Sequence, residues 1–416
     1  MLQIDHIYEF LYQNIFKKIE TYYCFRGVVI TDKIDIRKNI ILFKPPIETK
    51  IKIFCYDQEP FIKKIASPYI NTFLLGSGFL TDDTNNNSVL KTLHNGLLNN
   101  TDYDKSHILV TSEYSLEVDN FCNTLNFQKM YYFFHGFAAL DWYRGYYAIN
   151  YQKNIVKSYT NDFISYNRII HGDRSYRIYF ISKLLENNLV QNGLISFGVD
   201  SESKLTWQDE LVNPASKLST NSKKHILKNL IKLDKKLTID GESIPGSASA
   251  NIPISVTVDD PANNMKNFDS FWHVVTETVF YYNKLHLTEK IFKPIVSKQP
   301  FMLLAAPGNL AYLKSYGFKT FDSVIDESYD DIQDPDQRID AVVDQLNWYC
   351  NLTDAEKLDI AEKLEPIIEH NFHHFYGEFR HIITRELLGN CQTLFKEISY
   401  DDGDIAYDDI YRVLTA

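Results

Sequence analysis

Residues 285–304 read LHLTEKIFKPIVSKQPFMLL, and within them Thr288, Glu289 and Lys290 fall where a helix should begin. Thr288 can cap that helix, both charges then occupy its first turn, and Pro294 follows close behind. Neighbours at i and i+1 on a helix do not face each other, so a mutual salt bridge is a poor reason to set Glu289 beside Lys290. A shared ligand is a better one. A helix N-terminus offers free N–H groups and positive partial charge to a phosphate, and a lysine there adds a full charge. A carboxylate beside it can accept two hydrogen bonds from a diol such as a ribose edge. Together they would grip a nucleoside diphosphate. An ordinary charged first turn is the plainer alternative, and both readings stand at this point.

A second group lies in FFHGFAALDWYRGYY, residues 133–147, where His135, Asp141, Trp142 and Arg144 follow a strand-like run. Aromatic rings beside a carboxylate and an arginine suit stacking on a sugar and recognition of its hydroxyls. The alternative is a structural loop whose rings fill a domain joint. His273 reads as a core imidazole. His370, His373 and His374 share a helical spacing without a supporting carboxylate geometry, so no metal is assigned to them. The segment DPDQR at 334–338 reads as a turn before a helix. There is no P-loop, no GxGxxG after a strand and no GxSxG, which leaves kinase, dehydrogenase and hydrolase readings without support.

These residues need a scaffold, and the 416-residue chain is long enough for two domains. Strand-like runs at 27–31, 39–43, 51–56, 72–77, 107–113 and 129–134 follow an amphipathic helix expected over 1–22, with a helix-capable stretch at 115–124. A second cycle has strands expected at 162–167, 193–198, 270–279 and 300–305, and helices at 175–189, 288–298 and 309–318. Buried strands alternating with helices predict an α/β fold with parallel sheets and helices on both faces. Two such cycles suggest two facing Rossmann-like domains, 1–157 and 158–390, followed by a tail at 391–416. An insertion at about 201–266 interrupts the second. Its segment 216–237 holds seven lysines against one acid, Asp234, and reads either as a solvated helix or as a lid or docking surface for an anionic acceptor.

The net charge of −11 argues against a general polyanion-binding surface. Five scattered cysteines give neither a zinc spacing nor a disulfide framework, which fits a reducing, cytoplasmic setting. No run approaches the roughly 18 apolar residues of a membrane span, so a soluble chain is expected. The Asn/Lys/Ile/Tyr-rich composition suggests an A/T-rich genome, compatible with a phage or virus (hence a host cytoplasm) as well as with bacteria.

The segment FWHVVTETVFYYNKLHLTEKIF resembles the signature of the family 10 glycosyltransferases, the α1,3-fucosyltransferases. In that family a strand ending in a Phe-Glu-Asn-Ser-like segment is followed, after a variable loop, by Tyr-x-Thr-Glu-Lys. Glu277 then falls at the first motif and Thr288-Glu289-Lys290 at the second, and PFMLLAAPG with NLAYLKSYGFKTF continues the pattern. DFISYNRIIHGDRSYRIYFISKLL resembles the segment opening the family's second domain, with Arg177 at its donor-binding arginine; Arg168 and Arg174 nearby either supplement it or, in one case, pair with Asp173. IKIFCYDQEPF resembles the acceptor-domain strand that ends in the family's catalytic base, which would be Glu59. The resemblance covers about 160–330. It departs where Val-Thr-Glu-Thr replaces Phe-Glu-Asn-Ser and where the insertion enters, which bears on the donor sugar more than on the reaction.

The resemblance implies two facing Rossmann-like domains of the GT-B type and inverting transfer from a nucleotide sugar, GDP-fucose-like, with a UDP-sugar kept open. No other cofactor is required. Such chemistry needs positive charge on the departing diphosphate, from Lys290 and Arg177, and one carboxylate to deprotonate the acceptor hydroxyl. Glu59 is the expected base and Asp141 the second choice; Glu277 would orient the sugar and Glu289 hold the ribose. The acceptor is a glycan hydroxyl or, alternatively, a hydroxymethylated DNA base contacted through the lysine-rich insertion. A non-catalytic nucleotide- or sugar-binding protein is the reading of a different class.

Overall fold

The computed structural model describes residues 7–17, 20–24, 34–35, 40–43, 51–55, 106–125, 127–143, 159–197, 205–231 and 270–416. Glu59, Arg144, the runs expected at 27–31 and 72–77, and residues 232–269 of the region around the insertion lie outside them. The chain divides into two compact units, one comprising Met1–Asp141 with Arg380–Ala416, the other Trp142–Phe379. The first unit closes at Asp141, where the sequence pattern put the joint near 157.

The first unit opens with helix α1, Ile7–Asn14. The helix expected over 1–22 ends there, and Glu20–Cys24 forms strand β1 instead. The reason is compositional: ETYYC carries a β-branched residue and two aromatics, which fit a pleated surface better than a helix. Strands β2 (Ile34–Asp35), β3 (Ile40–Phe43), β4 (Ile51–Cys55), β5 (Ser106–Thr111) and β6 (Phe127–Tyr131) complete a sheet of order β2-β3-β1-β4-β5-β6. Pairing is parallel from β1 through β6 but antiparallel for β1–β3 and β3–β2, so this sheet is mixed where a parallel one was expected.

Helix α2, Leu116–Leu125, leads from β5 to β6. Strand β6 stops at Tyr131, and the segment weighed as a structural loop forms helix α3, Phe134–Trp142, placing Asp141 in its last turn. FHGFAALDW holds no proline, and Ala138, Ala139 and Leu140 are good helix formers that outweigh one glycine.

The second unit is built on β7 (Asn161–Ser165), β8 (Gly193–Ile195), β9 (Ser270–Thr276) and β10 (Phe301–Leu304), all parallel, in the order β10-β9-β7-β8. Every residue of β9 and β10 is buried, as a parallel sheet covered on both faces requires. Helix α4 (Tyr176–Glu186) connects β7 to β8; the short α5 (Trp207–Val212) and α6 (Thr220–Leu230) follow; α7 (Glu289–Val296) connects β9 to β10. Helices α8 (Asn309–Ser315), α9 (Pro335–Cys350) and α10 (Asp354–Tyr376) complete the unit. Fully buried Trp272 of β9 meets Phe321 and Tyr349 edge-on, while Phe292 of α7 packs near Phe318, Phe375 and Phe379.

Residues 391–416, read as a tail, are instead structured. Helix α11 runs from Glu378 to Glu397 and α12 from Tyr407 to Thr415. Cys391, Leu394 and Phe395 are buried, Phe395 meets Phe16 edge-on, and the Asn390 amide donates to the Tyr131 carbonyl at 2.7 Å. The acidic residues of YDDGDIAYDD disguise this, because the apolar anchors Ile410 and Leu414 come only after them. Among the described residues no helix is long and apolar enough to cross a membrane.

Candidate functional site

The strand order of the second unit selects one place for a ligand. From β7 the chain steps outward to β8 on one side, then returns to lay β9 against the other side of β7. The connections diverge between β7 and β9, and in open α/β sheets ligands bind beyond the carboxyl ends of strands at such a reversal. The residues there are Tyr166, Asn167 and Arg168 after β7, and Thr276, Glu277 and Thr278 at the end of β9. The Thr276 hydroxyl donates to the Tyr166 carbonyl at 2.9 Å and Ser165 Oγ to the Val274 carbonyl at 3.1 Å, which stitches the two strand ends together.

Glu277 has no exposed surface. Its carboxylate accepts from the Thr288 amide at 3.1 Å, the Thr288 hydroxyl at 2.6 Å and the Thr278 amide at 3.2 Å. This fixes the N-cap of α7 against the end of β9. Thr288 Oγ1 in turn accepts from the Lys290 amide at 3.3 Å, the expected capping bond. The Lys290 ammonium reaches three oxygens: Thr278 Oγ1 at 3.2 Å, Thr288 Oγ1 at 3.0 Å and Glu289 Oε1 at 3.0 Å. Glu289 and Lys290 therefore do pair, contrary to the expectation from helical spacing. Both belong to the first turn, and Lys290 extends back over the N-cap, where the facing rule for a helix interior does not apply.

Arg177, expected on a diphosphate, is buried at 3 % exposure near the start of α4. Its terminal nitrogens donate to the Ile169 carbonyl at 2.8 Å and the Thr276 carbonyl at 2.6 Å, with a longer contact to the Glu277 carbonyl. The guanidinium thus braces the loop after β7 against the end of β9. Arg168, in that loop, is half-buried, and its Nε is buried without a hydrogen-bond partner, as are Arg177 Nε and Asn167 Oδ1. Orphaned polar atoms of this kind are uncommon in folded proteins, and here those of Asn167 and Arg168 fall in the loop leaving β7 and that of Arg177 at the start of α4.

Neighbouring elements hold this stretch. The Tyr176 hydroxyl donates to the Glu277 carbonyl at 2.6 Å while its ring stacks on Phe280. Tyr282 donates to Asp173 at 2.7 Å, and the buried Glu210 of α5 accepts from the Gly172 amide at 3.3 Å. Gly172 has a φ of +60°, a left-handed conformation in which a side chain would be strained. The start of the insertion therefore folds back onto the loop that follows β7.

Lys293 and Tyr166 also belong to the site, although the sequence reading passed over them. The Lys293 ammonium sits 4.0 Å from the centre of the Tyr166 ring, a cation–π geometry. The available signal was spacing: Lys290 and Lys293 are three apart on α7 and so share a side of it. His273 of β9 is buried as expected, and burial together with the nearby Lys293 charge pushes its pKa down to about 3. Asp141 lies on α3 with its side chain outside the described residues. His370 and His374 contact the Gly317 and Tyr316 carbonyls and fasten α10 to the turn after α8. Among the described residues no three His, Cys, Asp or Glu side chains converge in a group that could hold a metal ion.

Comparison with known proteins found no matching family model, curated protein or solved structure.

Proposed function

We propose that the chain is a glycosyltransferase that moves a sugar from a nucleoside-diphosphate sugar to an acceptor hydroxyl with inversion. The observation that carries this reading is the Glu277–Thr288–Lys290–Glu289 network at the β7/β9 reversal: a cation and a carboxylate on one helix N-terminus, held by a buried acid. Lys290 neutralises the departing diphosphate, aided by the helix N-terminus, and Glu289 takes the ribose diol. Arg168, with its orphaned donor, is the second phosphate contact, and Arg177 keeps the crevice walls in register. Glu277 acts by placing Thr288 and thus α7. The resemblance to the family 10 enzymes supports a guanosine-linked donor, a second facing Rossmann-like domain, a glycan acceptor, and Glu59 as base with Asp141 as alternative. A cytoplasmic location goes with this reading.

The lysine-rich α6 supports a second acceptor. Lys224 and Lys228 are exposed and the helix has no acid, so a hydroxymethylated DNA base is the alternative to a glycan. Salt separates the two, because contacts to DNA phosphates weaken steeply as salt rises while a neutral glycan shows little change.

Thermal shift with GDP, UDP, ADP and CMP, on wild type and Lys290→Ala, tests the core of the proposal. A ligand that binds the folded state raises its apparent stability. A shift with one diphosphate that disappears in the variant is the expected result. No shift with any nucleotide would remove the transferase reading. Binding without sugar turnover would favour a non-catalytic nucleotide-binding protein.

A further inference from the structure

We infer that the outward face of α6 docks the chain on an anionic lipid surface, its lysines meeting headgroup phosphates while two branched apolar side chains enter the acyl boundary. The inference stands apart from the nucleotide reading and does not depend on it.

Contacts within the second unit fix which way α6 is turned. Ser222, Ile226, Asn229 and Leu230 are buried, and the Ser219 and Ser222 hydroxyls both donate to the Asp336 carboxylate of α9. His225 ties the helix to Glu186 of α4. With that side held, Lys224, Leu227, Lys228 and Ile231 share the opposite one, at the i, i+3, i+4, i+7 spacing of a single helical face. All four are exposed, Leu227 at 52 % and Ile231 at 75 %. Of the nine large apolar side chains exposed among the described residues, four (Leu205, Val212, Leu227 and Ile231) come from the one stretch 205–231. A single exposed leucine needs no explanation, but apolar residues alternating with lysines on one face do.

The lysines alone would suit any polyanion, DNA included. The apolar pair decides. Duplex DNA meets a helix face with charged phosphates and would leave Leu227 and Ile231 in water, whereas a bilayer takes up both kinds of side chain at one depth. The lysine stems lie along the acyl boundary and lift their ammonium groups to the phosphates. Charge supports the same occupant: α6 holds no acid, while the chain as a whole, at −11, is repelled by an anionic bilayer, so attachment depends on this local face. The face is carried on a packed helix and needs no folding on contact. Two lysines and two apolar side chains make a weak, reversible attachment, half-saturated at about 1 mM accessible lipid.

The test is co-sedimentation of the full chain with vesicles of phosphatidylcholine alone or with about one third phosphatidylserine, beside a titration with duplex DNA. Wild type is compared with Lys224→Ala/Lys228→Ala and Leu227→Ser/Ile231→Ser, and melting curves confirm that each variant is folded. Wild type should bind the phosphatidylserine vesicles and neither of the other two ligands. The lysine variant should bind them roughly twentyfold more weakly, about fivefold for each charge removed. The apolar variant should bind them about tenfold more weakly. Absence of binding to phosphatidylserine vesicles overturns the inference. So does binding that Leu227→Ser/Ile231→Ser retains in full, because the contact is then one of charge alone. Tighter binding to DNA than to vesicles, lost in the lysine variant and kept in the apolar one, assigns the face to nucleic acid instead. These measurements contain no nucleotide, so their outcome and that of the thermal-shift experiment are separate.

Discussion

A carboxylate with no exposed surface persists in a protein only when its lone pairs are taken, and Glu277 satisfies this through Thr288 and Thr278. Glu277→Gln replaces an acceptor oxygen with an amide donor that faces other donors, so it should destabilise the protein by about 1–3 kcal/mol in urea unfolding. Because Thr288 moves with it, the proposed nucleotide binding should weaken as well. His273 makes a pH prediction. Its pKa is pushed from the ordinary 6.5 to about 3, so the folded state stays neutral where the unfolded chain takes up a proton. The contribution of this residue is complete above pH 6.5 and declines as pH falls towards 3, by up to ~1.4 kcal/mol per pH unit. His273→Asn should lessen the fall in unfolding free energy between pH 7 and pH 5 relative to wild type. At this scale Thr288, Glu289 and Lys290 were legible in the sequence, because a capping residue and two charges announce a helix start. The bracing geometry of Arg177 was not, because carbonyls placed by a strand end have no residue-type signature. Thr278 was missed for the same reason: a threonine after a strand is common, and only the fold brings Lys290 to it.

Among the elements, the strands buried on both faces were the most readable, since SFWHVV and PFMLL leave an apolar run little alternative to the interior. Short partly polar elements were not: ETYYC lacks a clear period, and α3 carries apolar residues on every side, which hides its helical repeat. Helix α6 was legible as a helix but not in its docking. It is held on α4 by buried Ile226 and Leu230 and by His225, which lies 2.9 Å from the Glu186 carboxylate and 3.0 Å from Ser182 Oγ. Lys183, then His225, holds the Glu186 carboxyl down at about 2, so the carboxylate stays charged and able to accept from His225 until pH falls towards 2. Glu186→Gln removes the charge at neutral pH. Amide hydrogen exchange within Thr220–Leu230 should then quicken by about threefold, with α4 little changed, since part-exposed pairs contribute modestly.

For the whole molecule, the decisive feature is that the first unit is made from two distant stretches of chain. Tandem domains were expected because periodicity reports local structure and says nothing of which segments return to which core. A chain ending at Phe379 keeps every residue of the second unit but removes Cys391, Leu394 and Phe395 from the core they share with Phe16 and Met130. Limited proteolysis of that truncated protein should leave 159–197, 205–231 and 270–379 protected while 106–125 and 127–141 are digested, and in full-length protein both sets should resist. The same interruption imposes an order in time on the growing polypeptide. Roughly 240 residues of the second unit leave the ribosome before the first can receive its closing helices, which at ~5–20 residues per second is a delay on the order of 10–50 s. The unit that starts first must finish last, and throughout that interval β6 and its neighbours stand without the partner that covers them, a period in which chaperone occupancy should be greatest.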